Sequence, residues 1–166
     1  MIKDIKKHKN DNLGGIHSFI FTPVENVLDI PPVISGSVRM AITLKAGTRW
    51  YRGHGIEGTM RFTDEPQEDE NGTFYQKRLI GLIAKKRASL VDQLTSMKNR
   101  RFIVIARDYN DIMWLIGNKS EPLLFKSGSD SKEHIPGRNE ISFEFFNPGI
   151  DESPVFSGLC PLLGFE

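Results

Sequence analysis

The clearest chemical motif in the sequence is Gly53-His54-Gly55-Ile56-Glu57-Gly58, which has the G-x-G-x-x-G spacing of a dinucleotide-binding turn. That chemistry needs the glycine turn to open a helix whose amino end meets the pyrophosphate. Here Ile56, Met60 and Phe62 alternate with polar residues, which is the period of a strand. The sequence therefore predicts a plain glycine turn between two strands. The run Asp64-Glu65-Pro66-Gln67-Glu68-Asp69-Glu70 offers several hard oxygens of the kind calcium prefers. Its spacing fits no Asp-x-Asp-x-Asp-Gly loop and Pro66 interrupts it, so a solvated hairpin tip joining two strands is expected. Asp108 to Asp111 lacks the glycine and distal glutamate of a calcium loop and is expected to be a turn.

His8, His17, His54 and His134 are scattered, with no pair at metal-ligand spacing. Ser35-Gly36-Ser37 and Ser127-Gly128-Ser129 have turn composition, and a Gly-x-Ser-x-Gly elbow is absent. The single cysteine, Cys160, excludes an internal disulfide and a cysteine-based zinc site, and reads as a small apolar residue in a hydrophobic tail. No catalytic residue, metal or cofactor is expected. Net charge is +1, from 22 basic and 21 acidic side chains. Binding DNA through its phosphates normally requires a basic surplus, so the balance argues against a dedicated nucleic-acid binder. No apolar run approaches the ~20 residues that cross a bilayer, and the Lys-rich residues 1–12 lack the apolar segment of a secretory signal.

The elements around these residues are mostly strands. Val38, Met40, Ile42 and Leu44 alternate with polar or small residues, as do Ile56, Met60 and Phe62, and both segments read as half-buried strands. Phe74 to Lys85 grows more apolar toward its end, as for a strand entering the middle of a sheet. Phe102-Ile103-Val104-Ile105-Ala106 suits a strand covered on both faces, and Ile112 to Ile116 completes a hairpin with it. Strands are also expected from Ile16 to Thr22, from Pro122 to Lys126, and from Asn139 to Phe146, where Ile141, Phe143 and Phe145 share a face. One helix is predicted over about residues 89–98. Ser89 and Asp92 begin it in the manner of a capping box, Leu90, Val91, Leu94 and Met97 form its apolar stripe, and Asn99 is a left-handed stop. The expected fold is mainly β, an antiparallel β-sandwich or open barrel with one flanking α-helix. Residues 13–150 form its domain, between a Lys-rich segment 1–12 and an apolar arm 151–166. Residues 127–138 are small, polar and charged, and read as a mobile loop.

Three places suggest packing against another protein. The arm carries Val155, Phe156, Leu159, Leu162, Leu163 and Phe165 among prolines and glycines. Exposing such side chains costs about 1.5–3 kcal/mol each, so either the chain's own core or a neighbouring subunit covers them. Lys85, Lys86, Arg87, Lys98, Arg100 and Arg101 bracket the helix with positive charge, while Asp64, Glu65, Glu68, Asp69 and Glu70 make the hairpin acidic. Head to tail, one patch could meet the other; alternatively, both are ordinary solvated ends.

The segments Arg101-Phe102-Ile103-Val104-Ile105-Ala106-Arg107-Asp108, Trp114-Leu115-Ile116-Gly117, Pro122-Leu123-Leu124-Phe125 and Arg138-Asn139-Glu140-Ile141-Ser142-Phe143-Glu144-Phe145 follow a familiar order. In this the chain resembles virion structural proteins of phages that infect Bacteroidetes, and through them the tail-tube fold. The resemblance covers residues ~70–156. It implies a β-sandwich with a flanking helix that forms homo-oligomeric rings. Stacked into a tube, these rings let DNA pass transiently and without sequence preference. It also implies manufacture in the host cytoplasm, a place in the virion tail, other tail proteins as partners, and no membrane. The hairpin around residues 64–72 would be the stacking loop. A near-neutral chain fits a conduit, which must not grip the DNA it transmits. A terminator or head–tail connector ring is the alternative within the same particle. A β-sandwich module for a small ligand or glycan, using Trp50-Tyr51 or Trp114, is the alternative of another class.

Overall fold

The computed structural model of the chain describes residues 12–130 and 139–159. The expectations for residues 1–11, for 131–138 of the polar loop, and for His8, His134, Cys160, Leu162, Leu163 and Phe165 lie outside the described residues. The fold is mainly β with one helix, built on a strongly curled mixed sheet that forms a half-barrel. In chain order its strands are β1 (Ile16–Pro23), β2 (Val27–Asp29), β3 (Ser37–Val38), β4 (Thr43–Leu44), β5 (Tyr51–Gly53) and β6 (Arg61–Asp69). They continue as β7 (Gly72–Ala84), β8 (Arg101–Asp108), β9 (Met113–Ile116), β10 (Leu123–Asp130), β11 (Glu140–Gly149) and β12 (Val155–Phe156), with the helix α1 (Ala88–Met97) between β7 and β8.

The main sheet runs β3-β12-β9-β8-β10-β11-β7-β6, and β1 pairs with both β8 and β5; β2 and β4 form a separate small ladder. Every pairing in the main sheet is antiparallel except β12 with β3. Strand β8 is its axis. It lies along β1 from Phe102 to Asp108, while its other edge is shared by β9 and β10. As the apolar run predicted, β8 is buried on both faces. Phe102, Val104 and Ala106 face one core, and Ile103 and Ile105 face another.

The first core is aromatic. Phe145 sits 5.0–6.2 Å, ring centre to ring centre, from Phe19, Phe21, Phe102, Phe125 and Phe143. Helix α1 packs on it through Leu90, Leu94 and Met97. The second core, on the opposite face of β8, collects Ile20, Val27, Ile42, Trp50, Leu115 and Phe156.

Several expectations are corrected. The segment 38–45 is not one strand. Val38 pairs with β12, Thr43 and Leu44 pair with β2, and Met40 between them is 65% exposed. Alternation records which side chains face a core, and here the chain bends across the second core without a continuous ladder. Residues 56–59 form a turn, closed by the Thr59 N–H donating to the Ile56 carbonyl and by Gly58 at φ +77°. Ser127-Gly128-Ser129 lies inside β10, paired with β11, and is not a turn. The helix begins one residue early, at Ala88. Arg87 occupies the cap position without a side-chain cap, so Ser89 lies within the first turn and caps nothing. Val91 faces solvent, and Asn99 takes the expected left-handed conformation at φ 62°.

Candidate interaction surfaces

The acidic run is a strand. From Arg61 to Asp69 it pairs residue for residue with β7, ending in a two-residue turn at Glu70 and Asn71, where the Asp69 carboxylate accepts from the Asn71 N–H at 2.7 Å. Four acids and a proline are poor strand formers. They are tolerated because β6 is the last strand of the sheet, where charge and proline guard an open edge against stray pairing. Asp64 differs from the rest of the run. It is half-buried, it accepts a 2.6 Å hydrogen bond from the Ser153 N–H, and it stands opposite the buried Lys77. It is therefore engaged within the chain. Glu65, Glu68, Asp69 and Glu70 are exposed.

The basic residues sit elsewhere. Lys85, Lys86 and Arg87 follow directly on the end of β7 and are exposed; Lys86 Nζ donates to Ser129 Oγ at 3.4 Å. The turn from Gly72 to the end of β7 spans twelve steps of about 3.3 Å, so the acidic tip and this cluster lie roughly 40 Å apart along one strand. Arg101, at the start of β8, is paired by register with Leu124, in a row that continues through Phe146 to Arg78, midway along β7. Arg100 is paired with Glu25, and its hydrogen bond holds the Glu25 carboxyl below the usual glutamate range. Acid and base thus do not meet within one copy of the chain.

The described part of the arm divides at Phe156. That residue is 2% exposed, in the second core, where β12 pairs with β9 and β3. Leu159, three residues on, is 86% exposed. Trp50 is a core residue, and Trp114 lies half-buried against Phe62.

One site has no forerunner in the motif reading. Glu144 on β11 is 8% exposed, with Arg78 Nε at 2.6 Å and Lys126 Nζ at 2.7 Å. Burial pushes its carboxyl up, but hydrogen bonds from Lys126 and Arg78 outweigh this and hold it below the usual range. The triad borders an open groove of about 580 Å3 lined among the described residues by Ile80, Leu82, Ser142 and Lys126 of β7, β11 and β10. Both carboxylate oxygens are engaged, so Glu144 organises the sheet and is not poised as an acid or base. The only available signal was its place between Phe143 and Phe145, which puts a carboxylate on the opposite face. The glycine motif proves to be a packing device. A Cβ at Gly53 would lie 2.1 Å from the Phe19 ring, and one at Gly55 would lie 2.7 Å from Met60.

Among the described residues no group of three or more potential ligands could hold a metal ion, and no helix is long and apolar enough to cross a membrane. No family model matches the chain, and no curated protein or solved structure matches it significantly.

Proposed function

We propose that the chain is a structural subunit of a phage tail tube, forming rings that stack head to tail. The observation that supports this most is the charge polarity of β7, with an exposed acidic turn at one end and Lys85, Lys86 and Arg87 at the other. Opposite poles on one rigid strand give a heterologous, self-propagating contact, and such contacts generate rings or filaments. Charges at a rim of this kind set orientation and register more than affinity. Among the described residues β6 has β7 as its only strand partner, and its charged edge suits a neighbour that docks through side chains and not by adding a strand. The resemblance over residues ~70–156 supplies the particle.

Electron microscopy of the purified protein at high concentration tests the reading. Tubes or stacked rings are expected. Lone rings would move the assignment to a terminator or connector, and a monomer at every concentration would overturn both.

A further inference from the structure

Among the described residues strand β5 has β1 as its only strand partner, and Arg52 and Gly53 of β5 line one cavity with residues of α1. This cavity has a volume of about 230 Å3. Its floor is aromatic, made by Phe19, Phe21, Phe143 and Phe145, and Leu90, Leu94 and Met97 of α1 cover it. The mouth has a different character. Arg52 and His54 stand on the β5 side, and Arg87 and Gln93 stand on the helix side, all four exposed. Among the described residues that line the cavity none is acidic. The amino end of α1, which has no side-chain cap, adds a further positive pole at the same rim.

The cavity is open at its polar mouth and apolar at its floor; a cavity of about 150 Å3 holds benzene, so this one has room for about nine heavy atoms. Guanidinium groups recognise carboxylates through paired, charge-assisted hydrogen bonds. We propose that the cavity binds a small amphiphilic carboxylate, with its hydrocarbon body under α1 and its head among Arg52, His54 and Arg87. The proposal shares Arg87 with the stacking contact but otherwise rests on the cavity's own lining, so it stands whether or not rings form.

The test is a titration of the full chain with sodium octanoate, followed through the Met97 methyl resonance, with n-octanol and acetate as controls. Octanoate is expected to shift that methyl saturably at millimolar concentration. Octanol should bind roughly tenfold more weakly, the loss that goes with one charge-assisted contact, and acetate should leave the methyl unmoved. The double variant Arg52→Ala/Arg87→Ala changes only exposed side chains, so it should fold, and it should weaken octanoate by at least that factor. Leu94→Trp should fill the cavity and abolish binding. No saturable shift with octanoate, equal affinity for octanol, or undiminished binding by the arginine double variant would each overturn the proposal.

Discussion

Asp64 on β6 accepts a 2.6 Å hydrogen bond from the backbone N–H of Ser153, 89 residues further along the chain. The contact ties the segment between β11 and β12 to the edge ribbon, so one member of the acidic run is an internal fastening. Asp64→Ala leaves a buried N–H without its acceptor and is expected to destabilise the protein by about 1.5–3 kcal/mol, the range for hydrogen bonds to charged groups. Asp64→Asn keeps an acceptor and should lose less. Urea unfolding of both variants measures the difference.

The same bond changes how the stacking contact is best tested. Deleting residues 64–71 would remove most of β6, so loss of assembly could follow from loss of the ribbon. Charge reversal is cleaner. Replacing Glu68 and Glu70 by Lys alters only exposed side chains and spares the Asp69 carboxylate that accepts from the Asn71 N–H at the turn. This is expected to abolish stacking at unchanged thermal stability, and reversing Lys85, Lys86 and Arg87 to Glu in the same chain should restore it. Stacking by wild type should also weaken as salt is raised. Electron microscopy and sedimentation read both results; stacking that persists in the first variant would remove the ribbon tip from the interface.

Glu144 gives a pH signature. Its folded carboxyl titrates below its unfolded value of about 4.3, so the stabilisation from Arg78 and Lys126 is fully present above that pH. It is lost as the pH falls through the lowered folded value. Near neutrality Glu144→Gln should cost about 1.5 kcal/mol, the low end for a charged hydrogen bond because both cations are half in water. The stability curves of wild type and variant should converge as the solution is acidified below pH ~4. Parallel curves from denaturation at several pH values would remove the triad from the stability of the fold.

The glycine motif makes a steric prediction. Gly53→Ala drives a methyl group into the Phe19 ring and is expected to cost about 1–3 kcal/mol, as overpacking does. Gly14→Ala, where nothing lies within 4 Å, should be close to neutral. A thermal melt of each decides it.

The arm divides in the same experimental sense. Phe156→Ala is expected to cost about 3–5 kcal/mol as a core truncation. Leu159→Ala should change the stability of the isolated chain by less than about 0.5 kcal/mol. If Leu159→Ala instead impairs assembly, the exposed end of the arm joins the interface.

Much of the fold was legible where one physical demand acted alone. The run from Phe102 to Ala106 had to be apolar throughout because both its faces are covered, and Ile141, Phe143 and Phe145 had to alternate because one face of β11 is. Legibility failed where two demands competed. In β6 the need to guard an open edge overrode strand propensity, so a strand was written in the residues of a loop. Ser127-Gly128-Ser129 likewise looks like a turn, yet its backbone hydrogen bonds are set by β11. The Glu144 triad left only the place of a carboxylate between Phe143 and Phe145, and the cavity under α1 left no local trace, since the first needs the registers of β7, β11 and β10 and the second the pairing of β1 with β5. Charge polarity was visible as composition, but its separation along a single strand required the pairing of β6 with β7.

The double burial of β8 has a consequence for how the molecule comes apart. Because the aromatic core and the second core share this strand as a common wall, neither can open without exposing one of its faces. The two halves are thereby coupled into one cooperative unit. The amide protons of Ile103, Val104 and Ile105 belong to its last-opening part, and their exchange with solvent reports global unfolding, while the exposed tip of the acidic ribbon can breathe at far lower free energy.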